Sequence, residues 1–355
     1  MKFGIPLPRT SRPIYVIGAG GIVNDAHLPA YKLAGFDVAG IFDLDREKAA
    51  ATACKFSIPH VFDSLEALLQ AAAPEAVFDL ALPAVAFPAI LSQLPDGAAV
   101  LMQKPMGDNM DQATTILKLA REKNLVAGVN FQLRYAPMIT AARNLINEGK
   151  LGELCDIELN LNVFTPWHIW KFLYGLPRVE ILYHSIHYID LVRSFLGNPK
   201  GMFAKTMSHP AMKELASVRT NMIMDYGDTV RANIFTNHCH RFGLTNQQSY
   251  IKFEGTEGAI KIKLGLLMNY PQGVPDVFEY VFLEEGKEPQ WQTLDVEGSW
   301  FPHAFIGSMA QVMRAAEGSI ARPDNSVEDC LHTMACVEAA YRSSEKGGVA
   351  LEGIG

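Results

Sequence analysis

The sequence predicts an α/β protein with two domains. The first is a doubly wound parallel sheet, and the second is an α+β domain on a large, mostly antiparallel open sheet. Apolar strands alternate with helices up to about residue 131, and a glycine-rich turn follows the first strand. Short strands with alternating apolar residues follow residue 150. We therefore place the domains at residues 1–131 and 132–355.

Composition and charge exclude several classes of protein. Of the 355 residues, 49% are hydrophobic and 19% are charged, which suits two folded cores. The net charge is −7 and no basic run occurs, so we expect no nucleic-acid partner. No stretch of about 18 apolar residues predicts a membrane span, and the opening residues lack the apolar core of a signal peptide. Five scattered cysteines without a CxxC pair fit a reducing cytoplasm.

The first predicted elements form a β-turn-α-β unit. A strand in "PIYVIGAGGI" ends in glycines, a helix follows in "VNDAHLPAYKLAGF", and a second strand lies in "DVAGIFDLD". In such a unit Gly18 permits the tight turn, and Gly20 lets backbone amides approach a pyrophosphate. We expect a dinucleotide here, with Gly21, Ile22 and Asn24 also among the residues that bind it. The alternative is a glycine-rich turn without a ligand.

The acidic end of the second strand predicts which dinucleotide binds. Asp43 lies 25 residues after Gly18, close to the ~20 of the dinucleotide fingerprint, where a carboxylate accepts from both ribose hydroxyls. Asp43 and Asp45 would repel a 2′-phosphate, so NAD is favoured over NADP, with Arg46 as a counter-argument. Val23 replaces the third fingerprint glycine, which serves helix packing and not phosphate contact, so we expect binding to survive.

Strands and helices continue to alternate after Asp43. The predicted helices are 46–56, 65–72, 84–94 and 110–124, and the predicted strands lie in "EAVFDLALP", "AAVLMQKPMG" and "LVAGVNFQLRY". Ligands of a parallel sheet bind at the carboxyl ends of its strands. The residues that fall at such ends are Gly18, Asp43, Pro83, Lys104 and Asn130, and we expect them near the cofactor.

Six segments make the chain resemble the Gfo/Idh/MocA family, named after glucose–fructose oxidoreductase, inositol dehydrogenase and a rhizopine-catabolism protein. They are "GAGGIVNDAHLPAY", "DLD", "ALP", "QKP", "VNFQLRYAP" and "HSIHYIDL", spread from residue 14 to about 196. The resemblance implies a Rossmann domain followed by a domain on a large antiparallel sheet. It also implies oxidation or reduction of hydroxyl and carbonyl groups of sugars or polyols with NAD(P).

The pattern after residue 150 predicts the second domain independently. In "CDIELNLNVF" the apolar residues lie on one side of a strand. Further predicted strands are 201–208, 216–225, 229–237, 247–254, 257–264, 277–283 and 290–294. The final helices, 302–317 and 326–343, are expected to pack back on the first domain. An open sheet needs a cover on both faces, so we expect a homodimer or homotetramer formed through it.

A helix predicted in "EILYHSIHYID", residues 180–190, concentrates polar side chains on one side. At about 100° per residue its apolar side chains occupy one arc, and Glu180, Tyr183, His184 and His187 gather opposite. Such a face is typical of a pocket wall, and buried histidines with hydrogen-bond partners are the alternative. We expect these four residues to bind substrate.

Hydride transfer from a secondary alcohol needs a base for the hydroxyl proton and positive charge near the developing alkoxide. By resemblance, Lys104 of "QKP" and His187 of "HYID" match the family's lysine and histidine, and we assign them to catalysis together with Tyr183. Gln103, expected on the cofactor side, replaces the usual Glu and only orients Lys104. Tyr183 replaces an Asp that many members carry four residues before the histidine, which breaks the usual Lys–Asp–His set.

Three further residues are candidates for the substrate pocket. Trp167 and Trp170 of "TPWHIWKF" offer aromatic faces to a sugar, although tryptophans are also common in cores. Arg134 follows the strand that ends near Asn130.

The polar helix also has a spacing found among metal ligands. Glu180 and His184 are separated by four residues, and His187 follows three residues later. A polyol pocket lined by histidine and tyrosine is the simpler interpretation, so we predict no required metal.

The leading interpretation is an NAD-dependent dehydrogenase of a sugar or polyol. Within the resemblance, small-aldose dehydrogenases are candidates, including those acting on branched pentoses such as apiose. Two alternatives stay open: an enzyme that cleaves or epimerises a glycoside with a retained NAD, and a non-catalytic NAD-binding regulator. Lys104 together with His187 favours catalysis.

Overall fold

A computed structural model describes residues 4–350 of the chain. The chain forms two compact units. Unit 1 contains the residues up to Asn144 and the segment Val296–Met334, and unit 2 contains Leu145–Asp295 and the residues from Ala335 onward. Unit 1 therefore extends past residue 131, where the sequence placed the end of the first domain, and it includes a segment from late in the chain.

The described residues contain nine α-helices and fourteen β-strands. The helices are α1 (Leu28–Ala34), α2 (Arg46–Phe56), α3 (Leu65–Ala71), α4 (Phe87–Leu91), α5 (Met110–Glu122), α6 (Pro137–Asn147), α7 (Ile186–Leu196), α8 (His303–Ala316) and α9 (Val327–Lys346). The strands of unit 1 are β1 (Ile14–Ile17), β2 (Val38–Phe42), β3 (His60–Val61), β4 (Val77–Leu80), β5 (Ala99–Met102) and β6 (Val126–Val129). The strands of unit 2 are β7 (Leu154–Asn162), β8 (Gly201–Met207), β9 (Arg219–Asp225), β10 (Arg231–Asn237), β11 (Gln248–Gly255), β12 (Gly258–Lys263), β13 (Val277–Phe282) and β14 (Gln292–Leu294). None of these helices is long and apolar enough to cross a membrane.

Unit 1 is built on a six-stranded parallel sheet with the strand order β3-β2-β1-β4-β5-β6. Strands and helices alternate along it, so the predicted doubly wound Rossmann domain is confirmed. The order reverses between β1 and β4, and ligands of such sheets bind at the carboxyl ends of strands beside the reversal. The ends of β1, β2 and β5 therefore mark the expected binding edge.

The core of unit 1 joins the early and late parts of its sequence. Ile14 and Val16 of β1 and Ile41 of β2 are fully buried, as expected for a parallel sheet covered on both faces. Phe305 and Met309 of α8 pack in the same apolar cluster. Helix α8 thus completes the core of unit 1.

The helix predicted at residues 23–36 has a different form at its start. It begins with a π-helical turn at Val23–His27 and continues as α1. Pro29 lacks the N–H that an α-helix would donate to the carbonyl of Asp25, which explains the wider first turn.

The strand predicted in "LVAGVNFQLRY" is shorter than expected. It ends at Val129, and Gln132–Tyr135 forms a 3₁₀ turn. Helix α6 follows from Pro137, a residue favoured at the first helical position. The apolar run had the composition of a long strand, but only its first half pairs with β5.

Unit 2 is built on an eight-stranded sheet with the order β14-β13-β12-β11-β7-β10-β9-β8. β7 and β10 run parallel, and the other neighbouring strands are antiparallel. The large, mostly antiparallel sheet predicted for the second domain is confirmed. The parallel pair was not predicted, and it is possible because α7, β8 and β9 separate the two strands in the sequence.

The two faces of the unit 2 sheet differ in burial. Leu159 of β7 is buried and lies opposite Ile234 of β10 and Ile251 of β11, which are buried too. On the other face Phe203 of β8 is 62% exposed and pairs with Ile223 of β9, which is 51% exposed. This outer face carries apolar side chains that unit 2 itself does not cover.

Candidate functional site

The turn after β1 requires glycine at one position and is open at another. Gly18 has a φ of +110°, and a Cβ there would lie 2.5 Å from the carbonyl oxygen of Ala81. At Gly20 a Cβ would meet nothing within 4 Å. The turn is therefore tight on its inner side and open on its outer side, as a phosphate approaching the backbone requires.

Two residues after the glycines hold the turn in place. The Nδ2 of Asn24 donates to the carbonyls of Ala19 at 3.3 Å and Gly20 at 3.2 Å, and to Thr52 Oγ1 at 3.0 Å. Val23, at the third fingerprint position, is fully buried in the core. Both residues support the turn from within unit 1. Gly21 and the partly exposed Ile22 lie between Gly20 and Val23 in the sequence.

The carboxylate of Asp43 is fixed at the end of β2. Its Oδ2 accepts from the backbone N–H of Ala19 at 2.7 Å, and its Oδ1 accepts from that of Asp45 at 2.8 Å. Each oxygen keeps a second lone pair for a further donor. Arg46, the cation that argued for NADP, forms an exposed ion pair with Asp63. The site thus presents an oriented anion next to the glycine turn.

A buried hydrogen-bond network lies behind these strand ends. Asp79 of β4 is fully buried, and its Oδ2 accepts from Tyr31 Oη at 2.7 Å and lies 2.8 Å from His27 Nδ1. The other nitrogen, His27 Nε2, faces Gln103 Nε2 at 3.2 Å and Asn130 Nδ2 at 3.3 Å. Because amide nitrogens donate, Nε2 is the acceptor and the His27 proton lies on Nδ1.

This network reaches the predicted catalytic lysine. Gln103 Oε1 accepts from the backbone N–H of Lys104 at 2.8 Å. Asn130 is fully buried, and its Oδ1 has no hydrogen-bond partner among residues 4–350. Sequence reasoning missed His27 and Asp79, although a charged residue within the apolar strand "VFDL" was a signal of a buried polar partner.

Lys104 is the second residue after β5, at the carboxyl edge of the sheet. Burial lowers the pKa of its amine from the ordinary 10.5 to about 8, because the charged form loses solvation. Pro83 is the third residue after β4, where it precedes a short 3₁₀ turn. The two predicted strand-end residues therefore lie beyond neighbouring strands of one sheet.

Arg134, a predicted substrate residue, has partners within unit 1. Its guanidinium donates to the carbonyl of Asp324 at 2.7 Å and to the carboxylate of Asp329 at 2.6 Å. The side chain is 6% exposed. These contacts tie the turn after β6 to the loop before α9 and to the first turn of that helix.

In unit 2 the polar helix begins with a π-helical turn at Ile181–Ser185, before α7. The wider turn brings residues five apart together, and Ser185 Oγ donates to Glu180 Oε1 at 2.6 Å. The regular α-helix predicted for residues 180–190 therefore begins only at Ile186. His187 lies on α7 and is 6% exposed.

Glu180 is fully buried and surrounded by donors. Besides Ser185, its carboxylate accepts from Thr220 Oγ1 and lies 3.3 Å from His238 Nε2. Burial raises the pKa of Glu180, but the hydrogen bonds from His238, Ser185 and Thr220 outweigh burial and hold it below its ordinary value. The carboxylate is therefore ionised at neutral pH.

His238, which sequence reasoning missed, completes a three-residue cluster. Its Nδ1 lies 2.7 Å from Thr165 Oγ1, and its ring lies 4.2 Å from the ring of His184. One ligand-type atom from each of Glu180, His184 and His238 lies within 4.8 Å of the others. The metal alternative therefore has His238, and not His187, as its third member. The run "TNHCH" at the end of β10 was the available signal.

The aromatic candidates of unit 2 differ in exposure. Trp167 is 5% exposed in an apolar cluster with Leu173 and Val179, and its ring lies 5.0 Å from that of His238. Trp170 and Tyr183 are only partly buried and pack against the same cluster. Trp167 thus packs behind His238, whereas the rings of Trp170 and Tyr183 are partly exposed.

Two family models match most of the chain. The first, an oxidoreductase family with an NAD-binding Rossmann fold, matches residues 13–131. The second, the C-terminal alpha/beta domain of the same oxidoreductase family, matches residues 143–351.

The chain is also similar to proteins with named activities. It is 25% identical over 248 residues to 1,5-anhydro-D-fructose reductase of Ensifer adhaerens, covering 69% of this chain and 74% of that protein. It is 22% identical to D-xylose 1-dehydrogenase (NADP(+)) 2 of Haloferax volcanii, covering 94% and 97%. A crystal structure of an oxidoreductase from Agrobacterium radiobacter, in complex with NAD+, L-tartaric acid and magnesium, has a TM-score of 0.78 at 19% identity and covers 96% of this chain and 98% of its own. That likeness shows a shared fold.

Replacing each turn glycine by alanine tests whether only Gly18 needs to be glycine. Gly18→Ala is expected to lower the free energy of unfolding by about 1–3 kcal/mol, because alanine is strained at a positive φ and its Cβ would meet Ala81. Gly20→Ala is the matched control and is expected to stay within about 0.5 kcal/mol of the wild type. Urea unfolding measures both, and equal losses would contradict the described turn.

A double-mutant cycle tests the buried pair of His27 and Asp79. His27→Ala is expected to cost about 1–3 kcal/mol of stability, because it removes a donor from a buried carboxylate. In an Asp79→Asn background the same change is expected to cost less, since no buried charge remains. Additive effects, to within about 0.5 kcal/mol, would show that the two side chains are not coupled.

Proposed function

Since this chain belongs to the Gfo/Idh/MocA family of oxidoreductases, we propose that it is an NAD-dependent dehydrogenase of a sugar or polyol. The observation that carries the proposal is the carboxyl edge of the unit 1 sheet. There an open glycine turn, the fixed carboxylate of Asp43 and the amine of Lys104 follow β1, β2 and β5. Relatives named for a sugar reductase and a xylose dehydrogenase support this class of substrate.

The residues of this edge fit NAD. Gly20 leaves room for a pyrophosphate against the backbone, and Asp43 keeps acceptor capacity for ribose hydroxyls. The unpaired Oδ1 of Asn130 is a buried acceptor suited to a carboxamide N–H₂. When bound, the nicotinamide accepts or returns the hydride. The further proposed contacts of the cofactor are Gly18, Gly21, Ile22, Asn24, Pro83, Gln103 and Lys104.

The preference for NAD over NADP rests on Asp43. One relative is named for NADP and one solved structure holds NAD+, so similarity does not decide between them. A carboxylate held by two backbone amides cannot turn away from a 2′-phosphate. Arg46, paired with Asp63, supplies no unpaired positive charge.

Three side chains share the proposed chemistry. Lys104 donates a hydrogen bond to the reacting oxygen of the substrate and stabilises its developing negative charge. His187 takes the proton of the hydroxyl in oxidation and returns it in reduction. Tyr183 donates a second hydrogen bond, in place of the Asp found in many members of the family.

The substrate contacts are proposed from unit 2. His184 and the partly exposed ring of Trp170 hold the sugar, while Trp167 and Glu180 support them from behind. Arg134 already has two partners in unit 1, so its proposed effect on substrate is through the position of the turn that carries it. The relatives named above are not named for a branched pentose, and we propose the substrate only as a sugar or polyol.

We propose that the chain works as a homo-oligomer in the cytoplasm. The outer face of the unit 2 sheet carries Phe203, Ile223 and Phe235, with 62%, 51% and 37% of their surface exposed. A second copy would cover these side chains in a homodimer, or in a homotetramer made of such dimers. No disulfide joins the five cysteines of the described chain, which agrees with a reducing compartment.

Asp43→Ala is expected to weaken NAD binding by about 10–100-fold, since hydrogen bonds to a charged group contribute about 1.5–3 kcal/mol. The same variant is expected to bind NADP and NAD with similar affinity, because the charge that repels the 2′-phosphate is gone. Calorimetric titration with each dinucleotide measures the ratio. A wild-type protein that prefers NADP would overturn the assignment of Asp43.

His187→Ala is expected to lower kcat by about 10²–10⁴-fold while NAD affinity stays unchanged, because general acid–base help acts on the chemical step. Steady-state kinetics and a separate NAD titration measure the two effects. His60→Ala, at an exposed histidine of β3, is the control and is expected to keep the wild-type kcat. Full turnover in His187→Ala would remove this residue from catalysis.

The lowered pKa of Lys104 predicts a loss of activity at alkaline pH. The protonated amine is the donor, so kcat/KM is expected to fall as the pH rises through about 8, where the amine loses its proton. Lys104→Arg keeps its positive charge at this pH, so the kcat/KM of this variant is expected to fall only at much higher pH. A pH profile of both proteins measures the difference. An identical alkaline fall in the two would assign it to another group.

A further inference from the structure

We propose that Glu180, His184 and His238 bind one divalent first-row metal ion, and that Zn²⁺ suits these ligands best. The ion would have three protein ligands and an open position for a water molecule or a substrate oxygen. This site is distinct from the hydride-transfer residues and is carried by the geometry of unit 2 alone.

The three ligand atoms have spacings close to those of a zinc site. Glu180 Oε1 lies 3.3 Å from His238 Nε2 and 4.0 Å from His184 Nδ1, and the three atoms all lie within 4.8 Å of one another. Ligand atoms about 2.0–2.1 Å from a tetrahedral zinc ion are about 3.3–3.4 Å apart. The Glu180–His238 edge already has this length, and the Glu180–His184 edge is about 0.7 Å longer.

The surrounding hydroxyls orient these ligands as the outer contacts of metal sites do. Thr165 Oγ1 lies 2.7 Å from the Nδ1 of His238, which leaves Nε2 directed at the carboxylate. Ser185 and Thr220 each donate to Glu180 and occupy one lone pair on each of its oxygens. With a cation in the cluster, His238 Nε2 is the ligand atom and its Nδ1–H donates to Thr165 Oγ1, which is the usual outer contact of a metal-bound histidine.

Charge leads to the same conclusion. Glu180 is fully buried, and in the described part of the chain its ion-pair partners are the two histidines, with no lysine or arginine among them. A buried carboxylate is costly without a compensating cation. A divalent ion supplies that charge.

The chemistry of the ligands selects the ion. Two imidazole nitrogens with one carboxylate oxygen suit Zn²⁺ and related first-row ions, whereas Mg²⁺ and Ca²⁺ prefer oxygen ligands. Three protein ligands leave a coordination position, as in catalytic zinc sites. His184 is the one ligand with an exposed part, 16% of its side chain, so the open position lies on its side.

The test uses the full chain without dinucleotide or sugar, so it does not depend on the proposed dehydrogenase activity. The protein is stripped with a chelator and titrated with Zn²⁺ by calorimetry, and with Co²⁺ by visible absorption. We expect one saturable ion per chain and a Co²⁺ spectrum of tetrahedral type. His238→Ala is expected to weaken Zn²⁺ binding at least about 100-fold, and Thr165→Val about 10–100-fold through loss of the outer contact.

Control variants keep the result decisive. His240→Ala removes an imidazole two residues from His238 that contacts Asn162 and lies outside the cluster, and we expect wild-type Zn²⁺ affinity. If His238→Ala does not fold, His184→Gln serves as the ligand variant instead, because His184 is partly exposed. Absence of stoichiometric Zn²⁺ binding, or equal affinity in the ligand and control variants, would overturn the proposal and leave a hydrogen-bonded carboxylate–histidine pair.

Discussion

The hydrogen bond between His27 and the buried carboxylate of Asp79 is the interaction on which the candidate dinucleotide site of unit 1 depends. A carboxylate inside a parallel sheet is costly unless donors surround it, so the His27 proton is committed to Asp79. The opposite ring nitrogen then only accepts, and the amides of Gln103 and Asn130 must turn their nitrogens toward it. Gln103 thereby directs its oxygen to the backbone of Lys104. A glutamate at 103 would place a second acceptor against His27, which explains why the neutral amide occurs here.

Unit 2 is organised around a second buried carboxylate. The π-helical turn at Ile181–Ser185 brings Ser185 back to Glu180, and the end of β10 supplies His238 from the sheet. Three groups on separate elements, Ser185, Thr220 and His238, thus converge on one charge. Their positions are coupled, because moving any one of them exposes the carboxylate to an unsatisfied environment. Tyr183 and His184 lie on the same turn, so the hydrogen bonds that fix Glu180 also fix their positions.

Local pattern was sufficient for most of the fold and for part of the candidate site. Alternating apolar residues predicted strands such as β11 and β12 to within about a residue, because one face of each is buried. Spacing alone predicted Gly18 and Asp43, and the structure places both directly after β1 and β2. His238 could not be found in this way, since it lies 58 residues from Glu180 and meets it only through the sheet. The π-helical turns were missed for a related reason: the hydrophobic period does not report a single extra residue within a helix.

Turnover of free NAD+ with a panel of aldoses and polyols is the measurement that tests the central claim most directly. We predict that at least one of these compounds yields reduced nicotinamide in large molar excess over the enzyme, with no signal when the sugar is omitted. An enzyme that reduces only its own equivalent of bound NAD would instead retain the cofactor through a cleavage or epimerisation. A protein that binds NAD without turnover of any compound in the panel would be a regulator. Either of these two results would contradict the assignment as a dehydrogenase.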